Sequence, residues 1–364
     1  MICVALIALG LLVAACAAPP PSTASPTPSP THEPGTYAVT ALLDLSGGRG
    51  PRGDAQRTAM QQWVDAQRNT PRVKLRIVDV AGSDAKLLLE LKRASDTGEA
   101  DAFVVGVPAA LDDALASAIA LVGRPVLFTL PIAEPSGDAA RWVFGLAPTP
   151  AALARALVDA LPSRSTPGIV VTNGSLAAGR EELALLAVFG ADGRPLPFVM
   201  SAAPDQRDLF AQRSRPFLST GSGMFFTGPA ASYVDPVRIV PTADATTTVQ
   251  VFLSYLTDAI DAGRLGEAAP GLRWPGLRRP TIAGVGTFAA AATDALAMLA
   301  ASANDAGDPE RSRARIEGTT FAGIATTYSF SPSRHIGIAP SEIALLSWDS
   351  GRVVLARPAS VPLR

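Results

Sequence analysis

Lysine is almost missing from this chain: Lys74, Lys86 and Lys92 are the only lysines among 31 basic residues. Histidine and cysteine are as scarce, with two of each, His32, His335, Cys3 and Cys16. These shortages remove whole classes of chemistry. No set of His, Cys and carboxylate residues has zinc-site spacing, so no metal is expected. His335 is the one histidine beyond the first 35 residues, and "TGSGM" around Ser222 is not the G-x-S-x-G elbow, which leaves little from which to build a Ser-His-acid hydrolase. The glycine-rich "SGGRGPRG" lacks the lysine of a phosphate-binding loop, and the Arg-Gly-Asp within "PRGDA" reads as chance. Neither a cofactor nor an enzymatic activity is expected. A net charge of -1 and a pI near 6.2 give no general attraction to phosphate backbones, so no nucleic-acid partner is expected. What the chain does have is 364 residues, 48% of them hydrophobic and 17% charged, enough for one large or two medium domains with real cores.

The amino-terminal apolar stretch, residues 1–15, is too brief to span a bilayer, which takes roughly 20 residues. It reads as a secretory signal. Its end, Val13-Ala14-Ala15-Cys16, resembles the bacterial lipobox, in which small residues precede a cysteine that receives diacylglycerol. Cys16 is therefore the expected lipidation site, and two acyl chains would anchor the protein stably. An ordinary cleaved signal with a chance cysteine is the alternative. No Lys or Arg precedes the apolar stretch, a departure that points to a start upstream of Met1. From Ala17 to Gly35 a Pro/Ser/Thr tract has no apolar period and should be an extended tether; its hydroxyls are candidate sugar attachment sites.

From Tyr37 onward short apolar runs alternate with helical patterns, the signature of a parallel α/β sheet. "YAVTALLDL", "VKLRIVDV", "ADAFVVGV" and "RPVLFTL" read as strands. Between them lie the helical "DAQRTAMQQWVDAQ", "DAKLLLELKRAS" and "LDDALASAIALVG", the last closed by Gly123. Trp63 falls on the core side of the first helix. After "RWVFGLAP" a second series follows: helix "TPAALARALVDAL", strand "PGIVVTN", helix "AAGREELALLAVFG", strand "PLPFVM", helix "PDQRDLFAQR" and strand "GMFFTG". Two similar series imply two lobes.

These stretches resemble the type I periplasmic binding proteins, particularly the branched-chain amino-acid and amide binders. "LLDLSGGRGPRGDAQRTAMQQWVDAQ" is similar to their opening Ser/Thr-Gly loop and first helix, and "ADAFVVGVPAALDDALASAIALVGRPVLFTLP" to their strand, Gly-Pro turn, helix and next strand. "RWVFGLAPTPAALARALVDAL" resembles the crossing into the second lobe. "GTFAAAATDALAMLAASAN", "RIEGTTFAGIATTYSFSPSRHIG" and "ALLSWDSGRVVL" resemble the return helix, the final hinge and the last strands. The resemblance spans roughly Tyr37 to Leu355. The stretch from Ala230 to Pro280 matches least, and its Pro, Gly and Trp274 suggest an unusual loop or insertion.

The resemblance implies an α/β fold of two Rossmann-like lobes joined by three hinge crossings. The N-terminal lobe would comprise 36–146 plus 280–335 and the C-terminal lobe 147–279 plus 336–364, after a signal peptide (1–15) and an anchor with tether (16–35). It also implies a small polar ligand, amino-acid- or amide-like, held in the cleft of a monomer and passed to an ABC transporter permease at the extracytoplasmic face of the membrane. Ligands of open α/β sheets lie beyond the carboxyl ends of strands. Candidate contacts are thus Ser46, Gly47, Gly106, Ala109, Ala110, Thr129, Asn173, Thr227 and Tyr233, with Asp235 close behind. Amino-acid binders carry a serine pair after the Gly-Pro turn and a Tyr-Gly in the second lobe; here Ala109-Ala110 and Ala178-Gly179 stand there, while Thr129 keeps the third marker. Asp112 and Asp113 read as helix caps, with the alternative that their charge would disfavour an anionic ligand nearby. The alternative function is a sensor or protein-interaction lipoprotein that kept the fold without the usual amino-acid contacts. His335 is expected at the surface or a hinge.

Overall fold

A computed structural model describes residues 36–46, 50–67, 72–202, 212, 222–229, 249–257, 272–279 and 286–356. Cys16, Gly47, Tyr233, Asp235 and most of the helix expected at 204–213 lie outside these residues. The compact unit begins at His32.

The first βα series folds as its periodicity predicts. It runs β1 (Tyr37–Leu43), α1 (Gly50–Ala66), β2 (Val73–Asp79), α2 (Asp84–Asp96), β3 (Ala102–Gly106), α3 (Asp113–Val122), β4 (Val126–Phe128) and β5 (Val143–Gly145). The strands form a five-stranded sheet in the order β2-β1-β3-β4-β5 with every pair parallel. Alternation along β1 sends Tyr37, Val39, Ala41 and Leu43 to one face. There they pack with Met60 of α1 and with Leu296 and Leu299 of α6 (Thr287–Ala301), the return helix. Leu42, Phe103 and Phe128 pack on the other face against Leu91 of α2 and Ile119 of α3. Trp63 is half-buried against the first of these clusters, as its helical phase requires.

The second series gives α4 (Pro150–Asp159), β6 (Gly168–Thr172), α5 (Leu176–Ala191), β7 (Phe198–Ser201), β8 (Gly223–Phe226), β9 (Gln250–Phe252) and β10 (Arg273–Leu277). After α6 come α7 (Pro309–Glu317), the hairpin β11 (Thr320–Ala322) with β12 (Thr327–Ser329), and a last hairpin, β13 (Ile343–Asp349) with β14 (Arg352–Leu355). The second sheet has seven strands in the order β14-β13-β10-β9-β8-β6-β7. It has its own two-sided core. Phe225 stacks on Phe252 and meets Phe189 edge-on beneath α4 and α5, while Trp274, Met224 and Leu346 fill the opposite face.

Helix starts follow local chemistry. Ser83, Asp112, Thr149, Ser175 and Asp308 each accept a hydrogen bond from the backbone N–H three residues on, at 2.9–3.3 Å. Asp112 is thus a cap, as its position suggests. Gly123 ends α3 in the left-handed region at φ 59°, where a Cβ would strain the chain.

The expected loop around Trp274 is corrected over 273–277, which is β10, an interior strand containing a proline. Register explains why Pro275 is tolerated. The Leu253 N–H donates to Arg273 O, so the odd-numbered residues of β10 turn their backbones toward β9. That strand ends at Phe252, having paired with β10 only at Arg273↔Phe252. The missing N–H of Pro275 therefore points where no partner strand continues.

The chain passes between the lobes three times: through 146–149, after β10 from Arg278 on towards α6, and through 330–342. They are tied to one another. Gly145, the last residue of β5 before the first crossing, donates to His335 O and accepts from Gly337 N, a parallel bridge to the third crossing. Arg278 N donates to Glu342 O at 2.8 Å and its Nε to Ser341 O at 3.1 Å, joining the second to the third. His335, whose expected place was the surface or a hinge, is buried at the hinge. Its ring stacks on Phe144 with centroids 4.6 Å apart, Nδ1 lies 2.9 Å from Val143 O, and Nε2 is 3.2 Å from Glu317 Oε1. No helix among the described residues is long and apolar enough to cross a membrane.

Candidate functional site

The carboxyl ends of β3 and β4 carry Pro108, Leu130 and Pro131. Opposite them, from the second lobe, stand Pro150 at the start of α4, Ala177, Arg180 and Glu181 of α5, and Leu256 beyond β9; together they line one crevice. An apolar floor runs under it from both lobes, made of Leu130, Ala147, Leu153, Ala177, Tyr255, Leu256 and Phe288. The space open to the centre of a water molecule is about 20 Å³, room for about one water. In this arrangement the lobes are shut on each other.

Two arginines cross the cleft in opposite directions. Arg52 of α1 is buried; its Nη2 donates to Leu256 O at 2.9 Å and its guanidinium lies 5.1 Å from the Phe288 ring centroid, within cation–π range. Arg180 of α5 reaches back, its Nη1 donating to Ala109 O. Burial holds the Arg180 guanidinium below its usual pKa, with Asp84 and Asp112 opposing weakly through space. Beside it, Glu181 accepts from Ser254 Oγ at 2.6 Å and from Gly228 N at 2.7 Å. Burial pushes its carboxyl up to about 7 against the bonds from Ser254 and Gly228 and the charge of Arg52. Glu181 also borders a second small crevice inside the lobe, lined by Thr227, Ser254 and Tyr255 among apolar side chains of α4, α5 and β8. The Tyr255 hydroxyl there is buried with no hydrogen-bond partner among the described residues.

The residues singled out from sequence separate into groups. Gly106 and Thr129 belong to one buried network of the first lobe: Thr129 Oγ1 donates to Gln56 Oε1 at 2.7 Å, and Gln56 Nε2 donates to Gly106 O at 2.9 Å. The Thr129 hydroxyl is thereby committed within its own lobe. Ala109 is buried and offers its carbonyl to Arg180; Ala110 is half-buried beside it. Thr227 lines the inner crevice and donates to Val171 O at 3.2 Å. Asn173 shapes the turn before α5, its Oδ1 accepting from Ser175 N at 3.0 Å. Ser46 is exposed at the end of β1, its hydroxyl bonded to Asp79. Backbone donation from Leu45 above all, then from Ala81, and the Ser46 hydroxyl hold the Asp79 carboxyl below the usual carboxylate range. Ala178, where the Tyr-Gly marker was expected, is buried under Gly228, whose own φ is 82°.

Arg52, Arg180, Glu181 and Tyr255 did not emerge from the sequence. Arg52 sits inside the "PRGDA" triplet read as chance, and "GREE" looks like any solvated helix turn. A signal existed for the second: with α5 starting at Ser175, residues 177, 180 and 181 fall on one helical face, two of them charged. No grouping of His, Cys and carboxylates that could hold a metal occurs among the described residues.

No protein-family model and no curated relative matches the chain. Solved structures do. A solute-binding protein of an ABC transporter from Rhodopseudomonas palustris, in complex with benzoate, aligns with a TM-score of 0.70 at 16% identity over 88% of this chain and 95% of that one. A type 1 periplasmic binding protein from Bordetella pertussis aligns with a TM-score of 0.71 at 15% identity, over 88% and 99%. A leucine-binding protein from Thermotoga maritima gives 0.69 at 16% identity, over 88% and 97%. The likeness is one of fold: the chain has the two-lobed α/β fold of type I periplasmic binding proteins.

Proposed function

We propose that this protein is an extracytoplasmic solute-binding protein, lipid-anchored through Cys16, that passes a small polar solute to the permease of an ABC importer. The observation that carries this reading is the cleft itself, where Pro108, Leu130 and Pro131 of one lobe face Ala177, Arg180, Glu181 and Leu256 of the other across three crossings. A solute that touches both walls has affinity for the shut state that it lacks for the open one, and that difference drives closure without covalent chemistry. The lobes are taken as 36–146 plus 280–335 and 147–279 plus 336–364, the tether as 16–35, and the protein acts as a monomer. Gly47 and Tyr233 remain candidate contacts with the cleft residues already described.

A second reading, a sensor or interaction lipoprotein that no longer takes up a solute, is favoured by the alanines at 109 and 110 and by the Arg180 contact that closes over them. One experiment separates the two. A thermal-shift screen of amino acids, amides, polyamines and small carboxylates on the full chain, followed by calorimetry, should find a solute that at 100 times its Kd adds about 2.7 kcal/mol of stability. A panel without any shift would exclude the transport reading and leave the second.

A further inference from the structure

Resting on the solute-binding reading, we propose that the cleft selects a small organic monoacid with an apolar body and no ammonium group, and that Arg180 is the residue that reads the carboxylate. This departs from the amino-acid- or amide-like class expected from sequence.

Among the described residues, the charged groups that line or cross the cleft are Arg52, Arg180 and Glu181. Arg52 is committed to the Leu256 carbonyl and the Phe288 ring. Arg180 is different. Its Nη1 meets only a neutral acceptor, Ala109 O, and its Nη2 is buried with no hydrogen-bond partner among the described residues. A half-buried guanidinium against one carbonyl lacks the planar, two-oxygen acceptor that its fork fits best. The acids that act on it through space do not hydrogen-bond it, and Asp112 Oδ1 is already used at the α3 cap. A carboxylate entering at Ala109 would supply both oxygens and displace the carbonyl.

The same walls are poor for an ammonium group. Each Glu181 oxygen already accepts one hydrogen bond, from Ser254 or from Gly228, and burial favours the uncharged carboxyl. Ala109 and Ala110 bring no hydroxyl. An ammonium would sit close to two guanidinium groups, with Asp84 and Asp112 acting on Arg180 only through space, an unfavourable pairing in a partly dry site. The rest of the surface suits hydrocarbon: Pro108, Leu130, Pro131, Ala177 and Leu256.

Matched probes test this. 4-Methylpentanoate, its amide and L-leucine share one skeleton and differ only in the carboxylate and the ammonium; benzoate and benzamide repeat the comparison with a flat body. In calorimetric titrations of the full chain, at least one acid should bind about 10-fold or more tightly than its amide, and 4-methylpentanoate more tightly than leucine. Arg180→Gln should weaken the acid by about 10- to 100-fold and the amide much less, as expected for loss of a hydrogen bond between charged groups. Arg180→Lys, which keeps charge but not the fork, should fall between. Leucine or an amide binding as well as the acid, or an acid indifferent to Arg180→Gln, would overturn the proposal. If Arg180→Gln does not fold, the acid-to-amide ratio of the unaltered protein decides. Binding of some other solute but of neither acid refutes this inference and spares the solute-binding reading; binding of no solute at all refutes both.

Discussion

Glu181→Gln should flatten the dependence of stability on pH. The carboxyl is raised from 4.5 to about 7 by burial, the opposing bonds from Ser254 and Gly228 being weaker. The folded state therefore holds the proton more tightly than the unfolded chain. The stabilisation this gives is complete below about pH 4.5 and is lost as the pH rises through about 7. At about 1.4 kcal/mol per unit of pKa, and allowing for solvent at a half-buried residue, the loss between pH 4.5 and pH 8 is about 2 to 3 kcal/mol. Glutamine copies the protonated form. Its oxygen can accept from Gly228 N while its amide donates to Ser254 Oγ, which keeps capacity to accept beside the bond from Leu256 N. Denaturant unfolding of both proteins at pH 5 and pH 8 isolates the effect, because all other titrating groups cancel in the difference. The unaltered protein should lose about 2 kcal/mol more than the variant between those pH values. Equal losses would show that the carboxyl ionises inside the fold at little cost, and the electrostatic picture of the cleft would fall with it.

Two further substitutions probe the walls. Gly106→Ala would place its Cβ 2.4 Å from Gln56 Oε1 and 2.5 Å from Leu43 Cδ2, so it should cost about 1–3 kcal/mol in chemical denaturation; a neutral result would mean that the Gln56 network yields freely. Tyr255→Phe removes a buried hydroxyl without a partner, so its melting should show stability unchanged or raised by up to about 1 kcal/mol. A loss of that size would show that the hydroxyl is bonded in solution.

The architecture was legible because it is written in short-range pattern. The alternation of β1, the apolar β3 and the Asp112 and Gly123 caps each carry a local physical rule that one sequence suffices to apply. The chemistry between the lobes was not legible. Strand ends pointed to Thr129 and Thr227, yet Thr129 turned its hydroxyl to Gln56, 73 residues away in sequence, and Thr227 lines the crevice inside the second lobe. Arg52 and Leu256 are 204 residues apart, Arg180 and Ala109 71. No local rule predicts such pairs, because the same arginine on a helix surface would be solvated. Trp274 and Pro275 failed for a related reason: a proline argues against an interior strand unless the neighbour is known to stop short, and β9 does so only in three dimensions.

The strap of backbone bonds through Gly145, His335, Gly337, Arg278 and Glu342 sets how the halves can part. Three separate ropes would let one half roll, slide or twist against the other. Stitched side by side, they behave as the leaf of a door: swinging about a single line keeps every stitch, while sideways shear must break several at about 1 kcal/mol each. If the halves part, as the solute-binding reading proposes, they do so along one path, and a solute entering between them meets both jaws in the same alignment every time.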